Sequence, residues 1–338
     1  MRNKEEKISI IGAGSWGTAL ALLLAKKGYS CSLWGYNKGH LREIAEKREN
    51  GRYLPGIKLP ENLKVTDSLE ECVKNSSLVV MVVPSHGLRE VFKALIPYLA
   101  KDVKIISAVK GIENDTLLTM TGVMKELLQK KGRGDIETGV LSGPSFAREV
   151  ADGVPTAVTI GFPRLQTARD IQKIFGTETF RVYAGRDVTG LEISGSFKNI
   201  IAIAAGVCDG LKYGLNTRAA LITRGLAEMK RLGVAMKADP ATFSGLSGIG
   251  DLLLTCTGDL SRNRTVGLKL GQGKKLQQIT GEMSMVAEGI KTTASIHDLA
   301  AKLGMEMPIL EQVYNLLYKD KSCSLAVEDL LTRELGVE

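Results

Sequence analysis

Lys7-Ile8-Ser9-Ile10-Ile11-Gly12-Ala13-Gly14-Ser15-Trp16-Gly17 is the stretch on which the reading of the fold turns. The run Lys7–Ile11 is β-like, and the stretch Trp16–Lys27 is helical up to Gly28. A GxGxxG turn joins the two directly. In a chain with 37 glycines such a motif can arise by chance, but between a strand and a helix it has a physical meaning. Gly12 makes the tight turn, Gly14 lets the backbone approach a pyrophosphate, and Gly17 lets helix and strand pack closely. The amides and dipole at the helix start then favour the phosphate charge.

Outward from this motif, short aliphatic runs alternate with helical patterns. Ser30–Tyr36 and the unbroken apolar run Leu78–Val83 read as strands, the second buried on both faces. Lys104–Val109, Thr138–Leu141 and Thr156–Ile160 continue the series. Helical patterns fall at His40–Glu49, His86–Leu99, Thr116–Lys130 and Arg164–Phe175. Strands spaced by helices of this length call for a parallel, doubly wound α/β sheet. After Arg186 the strands stop, and long helical patterns follow: Gly190–Gly206, Asn216–Leu232, Asp239–Phe243, Leu260–Gly271, Gly289–Leu303 and Ile309–Lys319. The expectation is a Rossmann-type dinucleotide-binding domain over residues 1–186 and an all-α substrate-binding domain over 187–338.

The composition narrows the function classes. Hydrophobic residues are 44% and charged residues 24%, as in an ordinary globular protein. The net charge of +8 comes from scattered residues, with only short clusters at Lys26-Lys27, Lys130-Lys131 and Lys274-Lys275. Without stacking aromatics beside them, these argue against nucleic acid and for a surface that favours small anions. The five cysteines, Cys31, Cys72, Cys208, Cys256 and Cys323, form no CxxC or Cys/His cluster, so neither disulfides nor a metal site is expected. The apolar runs Ala19–Ala25 and Ile200–Cys208 look too short to span a bilayer, and nothing at the N-terminus resembles a signal peptide. A soluble cytoplasmic protein without stable membrane insertion is expected.

The first adenosine-side position is unusual. The second strand ends in Leu33-Trp34-Gly35-Tyr36-Asn37-Lys38, without the carboxylate that would grip an NAD ribose. Its absence removes a repulsion against a 2′-phosphate, and Lys38 or Arg42 could neutralise one. Either NAD or NADP is therefore expected, with NADP slightly favoured.

Chemistry-bearing segments recur where strands end and in the helical half. Ligands bind outside the carboxyl ends of strands in open α/β sheets, which suits Lys110 after Lys104–Val109 unless it is a plain surface lysine. Lys198 interrupts a small, apolar helix, Gly195 to Gly206. A half-buried lysine loses solvation, its pKa falls, and it can donate a proton near neutral pH; the alternative is a snorkelling side chain. Asp251, between glycines and an apolar run, is either a helix cap or the partner of a buried cation. Ser261-Arg262-Asn263-Arg264 offers two guanidiniums beside a hydroxyl and an amide, either a phosphate clamp or a solvated loop.

Taken in order, GAGSWGTALA (Gly12–Ala21), VPSH (Val83–His86), SGPSFA (Ser142–Ala147), FKNIIAIAAG (Phe197–Gly206), TRGLAEM (Thr223–Met229), GIGDLLLTC (Gly248–Cys256) and SRNR resemble bacterial-type NAD(P)-dependent glycerol-3-phosphate dehydrogenases. The resemblance runs from about Lys7 to Tyr318. It implies reversible hydride transfer between NAD(P)H and dihydroxyacetone phosphate, with Lys198 as proton donor and acceptor, supplying glycerophospholipid synthesis. It implies cofactor contacts from Ser15, Trp16, Tyr36, Lys110, Ala147, Arg262, Val286 and Glu288 beside the glycine turn. It places substrate contacts at Lys110, Gly143, Ser145, Lys198, Asp251, Ser261, Arg262 and Asn263. Members are commonly homodimers. Tyr36 departs from the arginine or histidine frequent in the family, which bears on cofactor preference. Another lysine-dependent hydroxyacid dehydrogenase of this architecture, such as a ketopantoate reductase, is the alternative.

Overall fold

A computed structural model describes residues 6–283 and 287–333 of the chain. They form two compact units. The first comprises the described residues up to Val109 together with Met120–Leu191. The second comprises Lys110–Thr119 and the described residues from Glu192 onward. A single boundary after Arg186 does not anticipate the excursion Lys110–Thr119.

The first unit is built on an eight-stranded sheet. Its strands are β1 (Lys7–Ile11), β2 (Ser30–Trp34), β3 (Leu63–Thr66), β4 (Ser76–Met81), β5 (Lys104–Ser107), β6 (Thr138–Ser142), β7 (Thr156–Gly161) and β8 (Phe180–Gly185). Their order across the sheet is β3-β2-β1-β4-β5-β6-β7-β8. The central strands are buried on both faces because helices cover both: the consecutive residues Ile10 and Ile11 of β1, and Val79 and Val80 of β4, point to opposite faces and are all fully buried. All three of β2, β1 and β4 run parallel, but the strand order reverses at β1, with β2 and β3 on one side and β4 onward on the other. This makes β1·β4 the topological switch point, the place where open α/β sheets bind ligands.

The pairing is parallel, as expected, except at β6·β7, which is antiparallel. Between those strands lies only the short helix Ala147–Asp152, so the chain turns back and does not cross over. Neither β3 nor β8 was read from the sequence. Both are edge strands with alternating exposure (Arg181 and Tyr183 point outward in β8), so neither has a continuous apolar run.

The second unit is helical. Its centre is the helix Val188–Gly210, which continues past Glu192 among fully buried Phe197, Ile200, Ile201 and Ile203. At 23 residues and a mean hydropathy of 1.3 it is long and apolar enough to cross a membrane, contrary to the sequence estimate. Its apolar window is 94% buried inside the protein, which identifies it as a core helix. Against it lies the helix Arg262–Gly271 in unusually close contact. A Cβ on Gly206 would fall 2.0 Å from the Arg264 carbonyl oxygen, and one on Gly267 would fall 1.9 Å from that of Ile203. Gly210 and Gly271, one turn further along, repeat the arrangement, so two backbones touch along a glycine seam.

Further helices complete this unit: Leu215–Ala235, Asp251–Thr257, Leu276–Glu282, Glu288–Lys302, Pro308–Tyr318 and Cys323–Leu331. Glu228, buried in the first of these, accepts hydrogen bonds from the Ile309 and Leu310 amides and so caps the helix Pro308–Tyr318. The expected helix Asp239–Phe243 is a 3₁₀ turn, Pro240–Ser244, started by Pro240 and capped by Asp239.

Candidate functional site

The glycine turn of the first unit has the geometry its sequence demands. Gly12 sits at φ 131°, and a Cβ there would lie 2.5 Å from the Val82 carbonyl oxygen. A Cβ on Gly17 would lie 1.8 Å from the Gly12 carbonyl oxygen. Both are thus required by the protein's own packing. Gly14 differs: a Cβ there would meet no protein atom within 4 Å. Its missing side chain leaves an open approach to the start of the helix Ser15–Lys26, which carries no side-chain cap and no acidic residue in its first turn. Such an end holds unsatisfied amides that suit a phosphate, so the residues fit a dinucleotide pyrophosphate. Close by, the Trp16 indole N–H is buried without a partner among the described residues.

Around this turn, Tyr36 is 90% exposed after β2, and Asn37 caps the next helix by accepting from the His40 amide. Gly143, at φ 136°, follows β6 so closely against Val158 that a Cβ would come within 2.9 Å of its Cα. Ser145 donates to the Gly143 carbonyl at 3.0 Å, and Ala147 begins the next helix. Of the expected cofactor contacts, Val286 lies outside the described residues.

In the second unit, Asp251 gathers two lysines. Lys198 donates to its Oδ1 at 2.6 Å, and Lys110 donates to its Oδ2 at 2.9 Å. These partners are 53 and 141 residues away in sequence. The carboxylate is 1% exposed, Lys198 7% and Lys110 21%, so one lysine is enclosed and the other reaches toward solvent. Asp251 owes its position to a π-helical turn, Leu246–Gly250, that runs into the helix Asp251–Thr257. Gly248 makes that turn possible, since a Cβ there would lie 2.0 Å from the Phe243 carbonyl oxygen.

Thr255, one helical turn on from Asp251, was not singled out in the sequence. Its hydroxyl accepts from Lys198 at 2.7 Å and donates to the Asp251 carbonyl at 2.6 Å. The i,i+4 spacing from Asp251 is the signal that would have found it.

The electrostatics follow from this enclosure. Burial pushes the Lys198 amine down to about 7; Asp251 opposes the fall and Lys110 adds to it. Burial works against ionisation of Asp251, but the two lysines outweigh it and hold its carboxyl below the usual range. With both lysines protonated the cluster carries net positive charge, suited to an oxygen that becomes anionic.

The Ser261–Arg264 segment resolves into distinct roles. Ser261 caps the helix Arg262–Gly271, accepting from the Arg264 amide. Arg264 is committed to Asp209 at 2.7 and 2.8 Å and to Asp259 at 2.9 Å. These ion pairs occupy the Arg264 guanidinium within the protein's own packing, so Arg264 does not join the expected phosphate clamp. Arg262 is exposed by surface area, yet the packing around its guanidinium is close enough to lower its pKa, a fall that Glu288 opposes. Asn263 is buried, and its Oδ1 accepts from the Gly289 amide at 2.9 Å. With the oxygen so engaged, the NH₂ group is the part of this amide that retains donors to offer. Among the described residues no group of three or more His, Cys, Asp or Glu side chains is placed to hold a metal.

Comparison with known proteins finds relatives of the chain along most of its length. A family model for the NAD-dependent glycerol-3-phosphate dehydrogenase N-terminus matches residues 7–168, and one for the C-terminus matches residues 187–328. A glycerol-3-phosphate dehydrogenase [NAD(P)+] of Desulfotalea psychrophila is 62% identical over 100% of both chains. The crystal structure of glycerol-3-phosphate dehydrogenase from Coxiella burnetii superposes with a TM-score of 0.93 at 40% identity, covering 98% of this chain and 100% of that one. A ketopantoate reductase from Ralstonia eutropha, at 15% identity and a TM-score of 0.58 over 96% of this chain and 99% of that one, shares the fold alone. With both family models matched in order over most of its length, this chain belongs to the NAD(P)-dependent glycerol-3-phosphate dehydrogenase family of oxidoreductases.

Proposed function

We propose that the protein interconverts dihydroxyacetone phosphate and sn-glycerol 3-phosphate, with Lys198 as the proton donor and acceptor. The observation that carries this reading is the enclosed Lys198 amine, held by Asp251 and Thr255 and lowered to about 7. A lysine so tuned is part protonated at neutral pH and serves both directions of the reaction.

A dinucleotide held at the Gly12–Gly17 turn would supply the hydride for the carbonyl carbon. The protein's residues handle the oxygen. Lys198 gives its proton to that oxygen as the new C–H bond forms, leaving an alcohol and a neutral amine that regains a proton from solvent. Lys110 stabilises the developing negative charge, and Asp251 keeps both lysines oriented. Arg262 and the Asn263 amide, at the N-terminus of a helix capped by Ser261, would hold the substrate phosphate. Gly143 and Ser145 would line the substrate, and Ser15, Trp16, Tyr36, Ala147, Val286 and Glu288 the dinucleotide.

The Gly35–Lys38 turn after β2 has no carboxylate, which supports use of NADP as well as NAD, with NADP slightly favoured. We also infer a cytoplasmic homodimer that supplies glycerophospholipid synthesis, as in the family; light scattering on the purified protein tests the dimer. For the reaction, absorbance at 340 nm is followed with dihydroxyacetone phosphate and NADH, then NADPH. Loss of signal is the expected result, and the ratio of kcat/KM values reports the preference. Lys198→Met should lower turnover by about 10²–10⁴-fold while dinucleotide binding persists. A variant that keeps wild-type turnover removes Lys198 from its role.

A further inference from the structure

We infer that Asn50 is a positioning residue for the cofactor: it turns the Gly14 amide outward, toward the pyrophosphate. The inference rests on reading Gly12–Gly17 as the pyrophosphate turn. Asn50 is fully buried. Its Nδ2 donates to the Ala13 carbonyl at 3.0 Å and to the Thr18 hydroxyl at 2.7 Å. Its Oδ1 accepts from the Tyr53 amide at 3.3 Å. The polarity of this side chain is forced, because a carbonyl oxygen can only accept and a backbone amide can only donate.

The consequence lies in the peptide between Ala13 and Gly14. A trans peptide is planar, and its C=O and N–H point in opposite directions. With the Ala13 oxygen drawn inward to Asn50, the Gly14 N–H faces away from it. At Gly14 a side chain would meet no protein atom, so an anion can come close to that residue's backbone. The Asn50 amide therefore opposes rotation of this glycine-flanked peptide.

Asn50 is itself held firmly. It lies in a segment closed by an antiparallel bridge between Glu49 and Lys58, whose side chains also pair at 3.0 Å. Just before it, Arg48 adopts φ 49°, and its guanidinium donates to the carbonyls of Leu59, Pro60 and Leu63. Leu54 and Ile57 pack on Ala19 and Leu22 of the helix that follows the turn. The segment is therefore a strap across the nucleotide turn, and Asn50 is its point of attachment.

Calorimetric titration of the full-length protein with NADH, ADP-ribose and adenosine tests this. Asn50→Ala should weaken NADH and ADP-ribose about tenfold, the scale of one lost and well-placed hydrogen bond. Adenosine, which has no pyrophosphate, should change by less than about twofold, as should kcat at saturating NADH and KM for dihydroxyacetone phosphate. Asn50→Asp should be worse than Asn50→Ala, because a carboxylate cannot donate to Ala13 and repels its oxygen. Equal losses for adenosine and ADP-ribose, or a lowered Tm with unchanged NADH affinity, would make Asn50 a structural residue only and overturn the inference. Should either variant fail to fold, the unaltered protein with ¹⁵N-glycine decides: the Gly14 amide must shift on addition of ADP-ribose, and a stationary signal overturns the inference. Failure of the unaltered protein to bind any dinucleotide would instead overturn the reading of the turn itself.

Discussion

Replacing Asp251 by asparagine probes the proton chemistry directly. The substitution keeps the size and one acceptor oxygen but removes the charge that Lys198 touches at 2.6 Å. In the native cluster, burial lowers Lys198 to about 7 and Asp251 resists that fall. A hydrogen bond to a charged group contributes about 1.5–3 kcal/mol, and one pKa unit corresponds to about 1.4 kcal/mol. Loss of the charge should therefore lower Lys198 by roughly one to two units more. Lys110, still 21% exposed and left without its carboxylate, adds to the fall. The sign differs between directions. Reduction needs the ammonium, so its rate falls as pH rises through the Lys198 pKa; oxidation needs the amine, so its rate rises there. In Asp251→Asn both limbs should move to lower pH by about one to two units, and reduction at pH 7 should slow by about tenfold or more. Single-turnover mixing at 340 nm across pH 5 to 9, with saturating substrates, isolates the chemical step from product release. A limb that stays in place, or moves to higher pH, would refute the assignment of the titrating group to a lysine held by Asp251.

Further outcomes follow from other contacts. Arg262→Ala should raise KM for dihydroxyacetone phosphate by roughly 10–100-fold with a smaller loss of kcat, the scale of a lost charge-assisted pair. Arg264→Ala should instead lower Tm, since it leaves the part-buried Asp209 with a weaker partner, Arg218 at 3.5 Å; steady-state kinetics and calorimetry separate the two. Gly267→Ala places a Cβ 1.9 Å from the Ile203 carbonyl and should cost about 1–3 kcal/mol of stability, read from denaturant midpoints. Acid unfolding should be sensitive to Glu137, which Arg164, Lys104 and Thr167 hold down to about 2. That depressed carboxyl contributes stability above the usual pKa of about 4.5 and loses it as pH falls toward 2. Glu137→Gln should flatten the pH dependence of unfolding in that window.

The nucleotide turn was legible in the sequence because its demands are local. Gly12 needs its positive φ, and Gly17 needs room beside the Gly12 carbonyl, within six residues of chain. Lys198 could be singled out because a cation in an apolar helix is anomalous wherever the rest of the chain lies. The central strands announced themselves by unbroken aliphatic runs, but β3 and β8 did not, because an edge strand needs apolar residues on only one face.

What the sequence could not settle depended on which distant groups meet. Asp251 stood open as a cap or a cation partner until the fold brought Lys110 and Lys198 to its two oxygens. Arg262 and Arg264 are alike in sequence, yet Asp209, from another helix, takes one of them out of play. Asn50, an ordinary turn residue in the sequence, becomes a buried donor because its strap lands on the Ala13 carbonyl. Periodicity and backbone conformation are properties of neighbours along the chain, so the sequence determined the architecture and the turn. Partnership among buried polar groups is set by tertiary packing, because only there does loss of water oblige each group to find its match.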